Sequence, residues 1–163
     1  MATKNSKKKE TIIEGEFGPI YTQFKNKPKE AIQWLKKQKK GECVNALYRE
    51  DIGYVDMVWG VAEDLTNGTK GYGLAHIISE HGNEMKQLGF EVEDFIPIVF
   101  KFGLYETRKK ETKIYLNGET FRLVITTKWY NNPKKILLTA FDLRKVENKN
   151  KERAEKLKKK GRP

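Results

Sequence analysis

The apolar residues fall into helical spacing over much of the first two thirds of the chain and into alternation over its last third. Thr11-Ile12-Ile13 begins a short strand. Pro28 to Lys37 predicts a helix with proline in its first turn, Ile32, Trp34 and Leu35 on its apolar side, and Gly41 as its stop. Tyr54 to Trp59 is rich in strand formers and ends at Gly60. Asn67-Gly68 and Lys70-Gly71-Tyr72-Gly73 make a glycine-punctuated approach to a second helix, Gly73 to Gly82. A third helix is predicted over Val92 to Phe102, where Glu91, Glu93 and Asp94 suit a helix N-terminus and Pro97 opposes it. Lys113 to Leu143 reads as an antiparallel meander. Ile114-Tyr115-Leu116 and Thr120 to Thr127 flank Asn117-Gly118, a strong hairpin signal, and Lys135 to Phe141 forms the last strand after Asn131-Asn132-Pro133. With helices first and paired strands last, the expected class is α+β: N-terminal helices packed on a curved C-terminal antiparallel β-sheet.

The helix 73–82 carries both histidines of the chain. Leu74, Ile77, Ile78 and His81 follow an i, i+3, i+4, i+7 stripe, while His76 lies opposite with Ser79 and Glu80. Five residues at about 100° each leave the two imidazoles roughly 140° apart. The ordinary reading is therefore a core His81 and an exposed His76, with the helix ending at Gly82, where the dipole favours a protonated His81. That geometry argues against a two-histidine zinc site, which needs a four-residue spacing.

Charge adds less than its total of +11 suggests. Residues 144–163 carry +7 and residues 1–10 carry +3, so the segment 11–143 is nearly neutral at +1. The expected organisation is a basic N-terminal extension (1–10), one globular domain (11–143) and a basic C-terminal tail or helix (144–163). Basic ends attract phosphate backbones without sequence preference; they also serve simply as solvated tails. No stretch approaches the roughly 18 apolar residues of a membrane span, and the charged N-terminus has no apolar run behind it, unlike a signal peptide. Cys43 is the single cysteine, which leaves no disulfide framework and no thiolate metal cluster.

Serine chemistry has little support, since Ser6 and Ser79 are the only serines and neither lies in a nucleophile elbow. Phosphate-loop spacing is lacking, and the spacing of Asp56, Glu63, Asp64 and Glu80 does not require a divalent ion. Metal-free RNA cleavage fits the residue types better. An RNA 2′-hydroxyl attacks its own phosphate when one group takes its proton and another protonates the leaving oxygen, and histidine suits both tasks. Arginine or lysine then offsets charge on the transition state. Alternation places Arg122, Val124 and Thr126 on one face of their strand, and Leu137, Thr139 and Phe141 share a face of the last.

Tyr48 to Gly60, followed by a glycine-containing loop and Gly71-Tyr72-Gly73-Leu74-Ala75-His76-Ile77-Ile78-Ser79-Glu80-His81, resembles the phage-associated members of the barnase–EndoU–colicin–RelE nuclease superfamily. Gly41 to Leu47 and Lys135 to Phe141 resemble further stretches, so the likeness covers roughly 20–143. The resemblance implies N-terminal helices before a curved antiparallel sheet, and ribonuclease activity with no metal or other cofactor. By motif it assigns catalytic roles to His76, His81, Arg122 and Thr139, with Lys128 and Tyr115 as substrate-binding residues or substitutes for the arginine. It further implies an RNA partner (tRNA, rRNA or mRNA), a toxin or mobile-element setting, an immunity protein or antitoxin, and action in the cytoplasm or in that of a target cell. The competing expectation is a non-catalytic nucleic-acid-binding or phage structural module that uses its basic tails.

Overall fold

A computed structural model describes residues 12–160 apart from 64, 65, 67 and 69; the extension at 1–10 lies outside the described residues. The strands are β1 (Ile13–Gly15), β2 (Gly18–Tyr21), β3 (Glu42–Arg49), β4 (Gly53–Val58), β5 (Leu104–Thr107), β6 (Lys113–Asn117), β7 (Phe121–Trp129) and β8 (Asn132–Asp142). They form one mixed sheet in the order β1-β2-β3-β4-β8-β7-β6-β5. The β2–β3 and β4–β8 pairs are parallel and the others antiparallel. The helices are α1 (Pro28–Gln38), α2 (Gly73–His76), a π-helical turn (Ile77–His81), α3 (Gly82–Gln87), α4 (Val92–Phe102) and α5 (Leu143–Lys160).

The class is α+β, but helices do not simply precede strands: four strands lie before α2. The reason is visible in β3, whose sequence ECVNALYR shows no steady alternation. Its pairing with β4 shifts between Cys43 and Leu47, and Asn45 there takes a left-handed φ of 56°. Such a bulge breaks the period of two that marks a strand.

Two turns also differ from the sequence pattern. The β7–β8 hairpin turns on Tyr130 and Asn131, both at positive φ (46° and 65°), as a two-residue type I′ connection requires. Asn132 and Pro133 already belong to β8. At Asn117-Gly118 the hairpin forms, but its loop is Gly118 to Thr120 and Gly118 does not adopt a positive φ. Asn117 remains in β6, opposite Arg122.

One core joins both ends of the sheet. It takes Ala31, Ile32 and Leu35 from α1, Phe95, Ile96, Val99 and Phe100 from α4, and Leu47, Met57, Leu116, Leu123, Ile125 and Ala140 from the strands. α4 is helical despite Pro97. An interior proline costs about 3 kcal/mol, whereas each fully buried large apolar side chain returns ~1.5–3 kcal/mol, and α4 buries five. Two ion pairs tie it to α1, Lys29–Asp94 at 2.9 Å and Lys36–Glu93 at 3.1 Å. Tertiary packing outweighs the local penalty.

Candidate active site

β4 and β8 pair in register only at Asp56 and Ile136, and α2 contacts both strands. α2 starts hard against the end of β4. The Ala75 N–H donates to the Trp59 carbonyl at 2.8 Å. Gly73 has φ +75°, and a Cβ there would stand 2.9 Å from the Val58 and Trp59 carbonyl oxygens. Only glycine permits that approach without strain. Gly71 plays a similar part beside the histidine, since a Cβ would lie 2.7 Å from His76 Nδ1.

The chain then departs from α-helical geometry where the chemistry lies. In the π-helical turn Ile77–His81 the backbone closes on i→i+5 bonds, so the turn is wider and residues five apart come closer to alignment. The 140° separation expected of an α-helix is thereby reduced. The His76 and His81 rings are 5.4 Å apart with their planes at 77°. Nor does the helix end at Gly82, because α3 continues it to Gln87.

The environments of the two rings also reverse the expected pattern. His76, on the polar side of an ideal wheel, is only 8% exposed, while His81 is half-buried. His76 Nε2 lies 3.0 Å from Thr139 Oγ1 on β8. Its Nδ1 is buried without a hydrogen bond, with the Glu63 carboxylate 4.0 Å away. Burial first, and the neighbouring His81 second, hold the His76 pKa below the usual histidine value, so the ring is neutral at pH 7. His81 Nδ1 meets the buried Glu84 carboxylate at 3.2 Å, and the other Glu84 oxygen accepts from the Asp142 backbone N–H at 3.0 Å. Phe141 stands beside His81, with ring centroids 6.2 Å apart.

Sheet register carries the site across to Arg122. Thr139 pairs with Val124, which pairs with Tyr115; in the next row Phe141 pairs with Arg122, which pairs with Asn117. These side chains share the face opposite Leu123 and Ala140, which belong to the apolar core. Arg122 Nε donates to Asn117 Oδ1 at 2.6 Å, and the guanidinium lies 3.7 Å from Glu106. It also sits 5.2 Å from the centre of the Tyr115 ring, which Arg108 approaches to 4.3 Å. The cost of an arginine on a central strand is thereby met by local partners.

His76, His81 and Thr139 thus come together directly, with Arg122 one strand away from Phe141. Tyr115 is buried two strands from Thr139, roughly 10 Å by strand spacing. Lys128 pairs with Pro133, six residues from Thr139 along β8, roughly 20 Å by strand rise. The register does not bring it to the histidines.

Glu84, Glu63 and Asn117 enter the site without having been singled out for it from the sequence. Glu84 had a signal, since it lies three residues beyond His81 on what proves to be one helical run. Asn117 lies at the hairpin that Asn117-Gly118 signals, five residues from Arg122, whereas the approach of Glu63 to His76 is tertiary. Among the described residues no group of three or more His, Cys, Asp or Glu side chains is placed to hold a metal ion. Asp56 instead accepts from Lys134 and from the Asn45 N–H, and Asp64 lies outside the described residues. Burial pushes the Cys43 thiol up to about 12, far from a reactive thiolate. Among the described residues no helix is long and apolar enough to cross a membrane.

Residues 46–147 match a family model described as phage-Barnase-EndoU-ColicinE5/D-RelE like nuclease. No curated protein and no solved structure matches the chain.

Proposed function

The chain belongs to the phage-barnase–EndoU–colicin E5/D–RelE like nuclease family, and from that premise we propose a metal-independent endoribonuclease of toxin type that cleaves by internal transphosphorylation. The observation that carries this reading is the imidazole pair, 5.4 Å apart, with Thr139 against His76. Two adjacent imidazoles serve as base and acid for attack by a 2′-hydroxyl, a group that RNA has and DNA lacks.

His76 suits the base role because it is held neutral. Its Nε2 is the atom already engaged with a hydroxyl, so Thr139 Oγ1 marks where a ribose or phosphate oxygen sits. The 2′-oxygen attacks phosphorus as His76 takes its proton, and the P–O5′ bond breaks. Glu84 occupies His81 Nδ1, which leaves Nε2 to deliver a proton to the departing O5′. Thr139 holds a non-bridging oxygen, and Arg122 offsets charge developing on the phosphorane-like state. The products are a 2′,3′-cyclic phosphate and a 5′-hydroxyl. As a toxin the domain acts in the cytoplasm of its own or a target cell, with an acidic immunity protein or antitoxin as its partner.

Total RNA and DNA incubated separately with the protein in EDTA test this reading. RNA is expected to be cut with cyclic-phosphate ends and DNA left intact; loss of cutting in EDTA, or cutting of DNA, sinks it. The pH profile gives a second measure. Because the His76 pKa is lowered, its base form persists through mildly acidic solution, and the acid limb of kcat/KM is expected below pH 6.5, the ordinary histidine value. Replacing His81 with asparagine removes one of the two lowering causes, so an NMR titration of His76 should then move upward. A downward or absent shift contradicts the assignment.

A further inference from the structure

We propose that Phe17, Tyr72 and Trp129 form a base-stacking subsite that receives one base further along the single-stranded RNA whose phosphate is held at His76 and Thr139; this deepens the nuclease reading and rests on it. The three rings meet in one cluster: Tyr72–Trp129 at 5.0 Å, Phe17–Trp129 at 5.3 Å and Phe17–Tyr72 at 6.3 Å between centroids. None belongs to the main apolar core, and all three are only half-buried. Tyr130, 80% exposed at the hairpin tip, stands edge-on to Trp129 at 5.5 Å.

Their position ties the cluster to the candidate chemistry. Tyr72 lies immediately before α2, four residues ahead of His76, or about 6 Å along the helix axis. Its backbone is fixed by a two-way bridge to Val61, and its neighbour Gly71 lies against the His76 ring. The Trp129 indole N–H donates to Glu16 at 3.1 Å, which sets the ring's orientation. Half-exposed aromatic rings that reach the histidine pair through Tyr72, next to Gly71 at the His76 ring, match the way proteins hold unpaired RNA bases, which stack on Phe, Tyr or Trp once out of a duplex. Duplex RNA buries those π-faces, so the subsite selects single strands and tolerates any base.

The test uses the full chain carrying His76→Ala, so that RNA binds without cleavage. A fluorescent eight-nucleotide RNA and a set of strands with one abasic position each serve as probes. Adding Trp129→Ala or Trp129→Leu should weaken binding about 5- to 150-fold, while Trp129→Phe retains it. The salt dependence should not change, because no phosphate contact is lost. The loss should vanish for the strand abasic at the stacked position. Binding of Trp129→Leu equal to that of the parent, or an equal loss for every abasic strand, overturns the subsite alone. No RNA binding by the parent overturns the nuclease reading and the subsite with it. The leucine variant keeps apolar volume without a π-face, so loosened packing is not mistaken for lost stacking.

Discussion

His76→Ala is expected to lower the rate of RNA cleavage by about 10²- to 10⁴-fold, the usual contribution of a positioned acid or base, while the protein stays folded. The catalytic loss follows from its place: neutral through burial, one nitrogen on Thr139 Oγ1 and the other sealed from solvent. The structural cost is smaller. Thr139 is half-buried, so water can replace the lost partner, and removal of one hydrogen bond of this kind costs about 1 kcal/mol. Rate measurement on total RNA, paired with thermal denaturation, separates the two effects. If the domain is a toxin, the same change should relieve growth arrest in cells that express it. Full cleavage by His76→Ala removes the residue from the mechanism.

Glu84→Ala is expected to have the largest combined effect on stability and activity. The carboxylate is 5% exposed, and one oxygen holds His81 while the other accepts the Asp142 N–H. Alanine removes the carboxylate acceptor of that buried N–H, and loss of such an acceptor costs about 1–3 kcal/mol; a chain of this size loses about 2–4 °C in Tm per kcal/mol. With its anchor gone, His81 loses its fixed orientation, so kcat should fall more than KM rises. Glu84→Gln keeps an oxygen for Asp142 but no negative charge for His81. It should therefore recover most of the stability and less of the rate. Equal recovery of both by glutamine would mean that Glu84 acts on folding alone.

The elements that announce themselves in the sequence are those with a regular period and local punctuation. α1 follows its proline and its apolar side, and β6, β7 and β8 follow alternation around turn residues. β3 carries no regular period because its bulge at Asn45 scrambles alternation. β1 is signalled by Ile12-Ile13, whereas β2, with Gly18 and Pro19, has too little strand character to be read locally. α4 shows the opposite case, in which long-range burial overrides an unfavourable proline.

By itself the sequence determined the available chemistry: two histidines, one cysteine, few serines, and a late strand pair carrying Arg122 and Thr139. It also determined where the main helices and the C-terminal strands form, because those patterns are local. Only the tertiary structure decided that the histidines meet. A wheel drawn at 100° per residue presumes an unbroken α-helix, whereas one i→i+5 turn realigns residues five apart, and no residue type encodes that turn. Likewise, strand register rather than composition set Thr139 against His76 and placed Phe141, with Arg122 one strand beyond it, beside His81. Burial against that sheet, and not the ring's position on an isolated helix, is what keeps His76 neutral.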